Sequence, residues 1–114
     1  MTRPTDRAGA RWYVYVVRCA DDSLYCGISP DVAARMAAHE VGQGARYLRG
    51  RGPLKLCAQT PAGDRASASR AEYAFKQLSK RDKENVLGAG SGLARFVRTY
   101  WVDSDGSRSL VSEA

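Results

Sequence analysis

The run from Trp12 to His39 constrains the fold of this chain more than any other segment. Residues 12–19 are rich in β-branched and aromatic side chains, which is typical of a β-strand. A second short run, residues 24–28, follows a polar turn at residues 20–23, where the chain can reverse. The segment therefore predicts a hairpin of two antiparallel strands, with a helix after it.

The helix after the hairpin has recognisable start signals. Ser29 is a suitable N-cap, Pro30 suits the first helical position, and the carboxylate of Asp31 suits the positive end of the helix. We expect this helix to end near Gly42, where a glycine-rich basic loop, residues 42–52, begins.

A third strand is predicted after Pro53, because apolar and more polar residues alternate from residue 54 to residue 59. The alternation predicts that the apolar set shares one face of the sheet. That set consists of Leu54, Leu56 and Ala58.

Two further helices follow the third strand. Residues 65–78 carry apolar side chains at helical spacing, and Ser79 with Asp82 three residues later predicts the N-cap of a helix over residues 80–87. The apolar stripe of residues 65–78 consists of Ala68, Ala71, Phe75 and Leu78.

The element order β-β-α-β-α-α predicts an α/β (α+β) fold. We expect a small three-stranded, mainly antiparallel sheet with helices covering one face. The chain divides into an N-terminal tail (1–10), this domain (11–87), a glycine-rich linker (88–92) and a C-terminal extension (93–114).

Composition bounds the class of protein. A chain of 114 residues with 26% charged and 44% hydrophobic residues is typical of one folded domain with its own core. No apolar run is long enough to span a bilayer, and the first residues lack a secretory signal. The three cysteines form no CxxC pair and suggest no zinc site. We therefore expect a cytoplasmic protein that needs neither a membrane nor an obligate protein partner.

The net charge of +6 favours an anionic partner, for which nucleic acid is the natural candidate. Lysine and arginine side chains bind backbone phosphates without reading the base sequence. The simpler alternative is a solvated basic surface. The candidates for phosphate contacts are Arg46, Arg49, Arg51, Lys76, Lys80, Arg81 and Lys83.

Five residues could together hydrolyse a phosphodiester, which needs an activated water and stabilisation of charge on phosphate oxygens. Tyr15 and Tyr25 lie on adjacent predicted strands, and Arg35 and His39 are four residues apart on one helix face. Glu72 lies at the edge of the apolar stripe of the second helix. Each has a structural alternative: strand aromatics, a solvated helix face, and a Glu72 to Lys76 ion pair worth about 0.3 kcal/mol.

Five segments in this order resemble the small stand-alone GIY-YIG proteins of bacteria, which are similar to the nuclease module of the excision-repair incision subunit. The resemblance covers about two-thirds of the chain, from Trp12 to about Leu87. Tyr13 stands where the first family motif has glycine, and Cys26 where the second has isoleucine or valine. The matching segments are WYVYVVRC, LYCGIS, DVAARMAAH, GQGARYLRGRGPLKL and SRAEYAFKQLSK.

The resemblance implies a metal-dependent DNA endonuclease, acting in DNA repair or processing with Mg²⁺ or Mn²⁺. By that resemblance Glu72 binds the ion, and Arg35 stabilises the transition state. One of the two motif tyrosines, with Tyr15 preferred over Tyr25, helps deprotonate the attacking water, and His39 relays a proton or orients the phosphate.

Two other functions are compatible with the same residues. The fold could be a non-catalytic module that binds DNA or RNA, in which case Glu72 is only structural. A third class is an adaptor that docks a protein through residues 93–102.

Overall fold

The structure is a computed structural model, and it describes residues 11–101. The described chain has the predicted α+β class and element order, with one additional helix at the end. A short 3₁₀ helix, Arg46–Leu48, lies in the glycine-rich loop. The other elements are β1 (Tyr13–Arg18), β2 (Leu24–Ser29), α1 (Val32–Glu40), β3 (Lys55–Pro61), α2 (Arg65–Lys76), α3 (Lys80–Gly88) and α4 (Gly92–Arg98).

The sheet has the order β2-β1-β3, and both pairings are antiparallel. The central strand β1 is almost fully buried, as expected for its run of valines and tyrosine. In the hairpin register Tyr15 is opposite Gly27, and Val17 is opposite Tyr25. The two motif tyrosines are therefore diagonal neighbours on one face of the sheet.

Helices and loop cover both faces of the sheet, whereas the sequence predicted helices on one face. Tyr15 and Val17 must be buried from water just as the valines on the other face are, and α1 and the loop bury them. One face packs Val14, Val16 and Cys26 against Ala68, Ala71, Phe75, Leu93 and Val97. The opposite face packs Tyr15, Val17 and Cys19 against Val32 and Leu48.

The prediction for β3 was wrong at one position. Leu54 and Leu56 pack on the face that carries Tyr15, but Ala58 packs on the opposite face. A register irregularity explains the switch, because Val16 pairs with Ala58 while Val17 already pairs with Leu56. The extra residue, a bulge, reverses the alternation of the strand.

Helix α1 begins two residues later than predicted. Ser29 remains in the β-ladder opposite Tyr13, so it cannot be the N-cap. Its hydroxyl instead accepts a hydrogen bond from the backbone N–H of Asp31, and Asp31 caps the helix by accepting one from Ala34. The helix ends at Glu40, before Gly42.

Helix α3 confirms its predicted N-cap, whereas α2 ends at Lys76, two residues before the predicted end at Leu78, which still packs against the core. The Ser79 hydroxyl accepts a hydrogen bond from the backbone of Asp82, as expected for the N-cap of α3. Gly88 closes α3 and Gly92 begins α4, whose Leu93 and Val97 are buried in the common core. These apolar side chains are thus not available for docking a partner. The tail 1–10 and residues 102–114 lie outside the described part.

An ionic network that sequence reasoning missed attaches the hairpin turn to α3. Arg18 donates two hydrogen bonds of 2.8 Å to the carboxylate of Glu84, and a third of 2.8 Å to Asp22. Lys80 donates to the backbone carbonyl of Asp22 and pairs with Glu84. The hydrogen bonds from Arg18, supported by Lys80, lower the pKa of Glu84 to about 2.

Candidate active site

The candidate active site lies at the sheet edge formed by β2. Successive side chains of this strand point to opposite faces, so Cys26 faces α2 while Tyr25 faces α1 and the loop. Helix α2 brings Glu72 and Lys76 to the same edge, where their charges act on both Tyr25 and Cys26. Elements from the two faces therefore meet at Tyr25.

Tyr15 and His39 form a buried pair behind Tyr25. The Tyr15 Oη lies 2.8 Å from the His39 Nε2, and the two residues are only 1% and 3% exposed. The other ring nitrogen, Nδ1, accepts a hydrogen bond of 3.1 Å from the backbone N–H of Ala45. Because Nδ1 accepts, a neutral His39 carries its proton on Nε2 and donates it to Tyr15. The imidazole thus orients the phenol.

The surroundings keep both members of this pair uncharged. Burial raises the pKa of Tyr15 to about 12, Tyr25 raises it further, and the nearby Arg35 guanidinium partly offsets the rise. Burial, followed by the positive charge of Arg35, lowers the pKa of His39. A proton on Nδ1 would also face the Ala45 N–H. Near neutral pH the pair is therefore a phenol and a neutral imidazole.

Two glycines make room for the pair. A Cβ on Gly27 would lie 2.5 Å from the Tyr15 Oη, and a Cβ on Gly44 would collide with the His39 ring. Contacts that short are not compatible with a side chain. The glycine of the second motif is therefore required by the position of Tyr15.

Tyr25 is the centre of an aromatic cluster. Its ring centroid lies 6.4 Å from that of Tyr15 and 5.8 Å from that of His39, which it meets edge-on. The ring of Tyr47 stacks on it at 5.9 Å with an interplanar angle of 23°. Burial raises the pKa of Tyr25, and the positive charge of Lys76 opposes that rise.

A cavity of about 370 Å³ opens at Tyr25. Tyr47, Lys76 and Lys83 are among its lining residues, so aromatic surface and two ammonium groups face the same space. The Lys76 Nζ lies 5.5 Å from the centre of the Tyr25 ring. A negatively charged, planar ligand such as a nucleotide suits these surroundings.

Glu72 has a 23% exposed side chain whose charge acts on Tyr25, and its Oε2 lies 3.1 Å from the Lys76 Nζ. Within residues 11–101, no three histidine, cysteine, aspartate or glutamate side chains cluster as metal ligands. Mg²⁺ commonly takes only one or two carboxylates, and waters and substrate phosphates complete its octahedron. A partly exposed carboxylate that already attracts an ammonium group fits such an ion.

Arg35, an exposed residue of α1 one turn before His39, completes the group. Its charge lowers the pKa values of Tyr15, Tyr25 and His39, so the guanidinium lies close to all three. The fold therefore brings the five predicted residues together around the two tyrosines.

The basic residues fall into two groups. Arg46, Arg49 and Arg81 are exposed, and Lys76 and Lys83 line the cavity at Tyr25. Arg51 and Lys80 are instead engaged with the hairpin turn, Arg51 through Asp21 and Lys80 through Asp22. The sequence did not indicate that Tyr47 and Asp21 contribute to the site, because no local pattern connects these residues with a tyrosine on β2.

A larger cavity, about 550 Å³, opens on the other side of His39. It lies between the end of α1 and the glycine-rich loop, with Glu40 and Arg49 as its other titratable lining residues. Of the five predicted catalytic residues, His39 alone lines it, together with Arg49 from the predicted phosphate contacts.

Comparison with known proteins relates the sequence to a family. The profile of the GIY-YIG catalytic domain matches residues 11–85. UPF0213 protein YhbQ of Escherichia fergusonii is 49% identical over 86 residues, which cover 75% of this chain and 86% of that protein. YhbQ of Escherichia coli O8 gives the same values. The NMR structure of UPF0213 protein BH0048 from Bacillus halodurans is 38% identical, with a TM-score of 0.47, over 75% of this chain and 95% of that one.

Proposed function

This chain belongs to the GIY-YIG family of nuclease domains, and from that premise we propose that it is a divalent-metal-dependent endonuclease that hydrolyses DNA phosphodiester bonds. The observation that carries the proposal is the convergence of Tyr15, Tyr25, Arg35 and Glu72 at one sheet edge. A fold that needed these side chains only for packing would not have to place a guanidinium and a carboxylate beside two tyrosines.

Tyr15 is the group that takes a proton from the attacking water. Its oxygen receives the Nε2–H of His39 and lies near the positive charge of Arg35, and both stabilise a phenolate. The phenolate is the minor form because burial raises the pKa to about 12, so the reaction draws on a small fraction that grows with pH. His39 orients Tyr15 rather than accepting its proton, since Ala45 occupies Nδ1.

Arg35 stabilises the charge that develops on the phosphate. Its guanidinium is exposed on α1 and lies beside Tyr15, where it can also reach a phosphate bound at Tyr25. A planar guanidinium binds two phosphate oxygens at once.

Glu72 is the residue that would hold Mg²⁺ or Mn²⁺. The ammonium group of Lys76 would then leave the carboxylate of Glu72 and bind a phosphate oxygen instead. A bound divalent ion stabilises negative charge on phosphate oxygens. Tyr25 lines the cavity beside Glu72 and provides a hydroxyl for the same phosphate.

On either side of the cleaved phosphate, the DNA backbone would contact four cationic side chains, namely the exposed Arg46, Arg49 and Arg81 and the cavity-lining Lys83. These contacts provide affinity without base reading. A role in DNA repair or processing fits a nuclease of low sequence selectivity.

The proposal is tested by incubating the purified chain with supercoiled plasmid and with end-labelled oligonucleotides, in Mg²⁺ and in EDTA. We expect cleavage in Mg²⁺ only, and its loss in Tyr15→Phe. Tyr13→Phe is the matched control, because Tyr13 lies two residues away on the same face of β1, whereas the hydrogen bond to His39 comes from Tyr15. Absence of metal-dependent cleavage by the wild-type chain would refute the proposal.

One observation favours the alternative of a non-catalytic module that binds DNA or RNA. The carboxylate of Glu72 is already paired with Lys76, which is a sufficient structural reason for both side chains. Binding of nucleic acid without cleavage in the same assay would support this second function.

A further inference from the structure

Arg51 is held by three interactions that leave its guanidinium little freedom. Its Nη1 donates a hydrogen bond of 2.8 Å to Asp21 in the hairpin turn, and its Nε donates one of 2.7 Å to the backbone carbonyl of Tyr47. The guanidinium carbon also lies 4.2 Å from the centroid of the Tyr47 ring. One side chain thus connects the hairpin turn to the glycine-rich loop.

The contacts continue from Arg51 to the site. Tyr47 is 43% exposed, and its ring contacts both the guanidinium of Arg51 and the ring of Tyr25, on which it stacks at 5.9 Å. Backbone bonds support the arrangement, since Ala20 donates to the carbonyl of Arg51 at 2.9 Å. Arg51, Tyr47 and Tyr25 form a continuous stack anchored at Asp21.

We propose that Arg51 and Tyr47 are positioning residues for Tyr25, and that Arg51 is not a phosphate ligand. This inference rests on the proposed nuclease function, because Tyr25 must meet the substrate for its position to matter. A guanidinium that donates to Asp21 and to a carbonyl while covering a tyrosine ring would have to break these contacts to bind DNA. Arg49 of the same loop is exposed and therefore available to a phosphate.

The substitution that separates the two roles is Arg51→Lys. Lysine keeps the charge that a phosphate needs but loses the planar group that stacks on Tyr47 and donates to two acceptors at once. If Arg51 positions Tyr25, Arg51→Lys and Arg51→Met should both lower kcat about tenfold with KM within about twofold, a smaller loss than the roughly hundredfold expected for a 1 Å displacement of a reacting group. The salt dependence of DNA binding should not change.

A phosphate ligand would behave differently. Arg51→Met would then weaken DNA binding and reduce the salt slope by about one unit, and Arg51→Lys would preserve most of both. That pattern would overturn the proposal. Asp21→Asn is the second variant, since asparagine can still accept the hydrogen bonds of Ser23 but no longer attracts Arg51.

Asp22→Asn is the matched control for Asp21→Asn. Asp22 lies in the same turn but pairs with Arg18 and Lys80, not with the stack. Its positive φ of 72° suits asparagine as well as aspartate, so the turn should persist. We expect a kcat within about twofold of wild type for this control, and a loss for Asp21→Asn.

NMR spectra of ¹³C-tyrosine-labelled chain provide a readout that needs no cleavage. Arg51→Lys and Asp21→Asn should shift the ring signals of Tyr25 and Tyr47, identified with Tyr→Phe variants, whereas Asp22→Asn should leave them in place. Unshifted Tyr25 signals in Arg51→Lys would refute the positioning role. If the wild-type chain does not cleave DNA, the nuclease function fails, and the ring signals still decide whether the stack holds Tyr25.

Discussion

Replacing Gly27 with alanine should destabilise the fold far more than a single methyl group suggests. The new Cβ would lie 2.5 Å from the Tyr15 Oη and 2.6 Å from its Cζ, and Tyr15 is 1% exposed, so its ring has no free space to enter. Overpacking of a filled core costs about 1–3 kcal/mol, and loss of the Tyr15 to His39 hydrogen bond adds about 1 kcal/mol. We expect the free energy of unfolding to fall by roughly 2–4 kcal/mol.

Urea denaturation followed by circular dichroism measures this loss. Gly88→Ala is the matched control, because a Cβ at the end of α3 would meet no atom within 4 Å. That variant should be neutral or more stable by up to about 1 kcal/mol. In a Tyr15→Ala background, the space left by the ring should remove most of the cost of Gly27→Ala. A Gly27→Ala chain as stable as Gly88→Ala would refute the packing argument.

Three further results are expected. The single-turnover rate constant should rise about tenfold per pH unit between about pH 6.5 and about pH 9.5, because a tyrosine with its pKa raised to about 12 is still mostly protonated there; a plateau in this range would exclude Tyr15 as the base. Arg35→Lys should lower the rate at saturating DNA at least about a hundredfold, since lysine loses the planar geometry; a wild-type rate would contradict this. Glu84→Gln should lower Tm at neutral pH. Because the pKa of Glu84 is lowered from 4.5 to about 2, its stabilisation is present above its ordinary pKa and is lost as pH falls toward 2; Tm values of wild type and variant that do not converge in acid would contradict the pairing with Arg18.

The hairpin, with Tyr15 and Tyr25 on its adjacent strands, could be predicted because it depends on local patterns. Alternation in β1 and β2 determines which side chains share a face, and a short turn fixes which strands pair. The i,i+4 spacing of Arg35 and His39 placed both on the side of α1 that meets Tyr15.

The remaining features depend on contacts between distant segments. Ser29 failed as an N-cap because Tyr13, sixteen positions earlier, pairs with it, and Ala58 changed face because of a bulge against β1. The bond between Asp21 and Arg51 joins residues thirty positions apart. No local spacing signals such pairs, and one sequence alone does not reveal them.

Glu72→Ala tests the central claim most directly, when its single-turnover cleavage rate and its DNA affinity are measured together in Mg²⁺. The account predicts that the rate falls at least about a hundredfold while Kd stays within about threefold, because the change removes a metal ligand and not a cation that faces phosphate. Metal-dependent cleavage by the pure variant at the wild-type rate would contradict the account. Glu72 would then have only a structural role, as the ion-pair partner of Lys76.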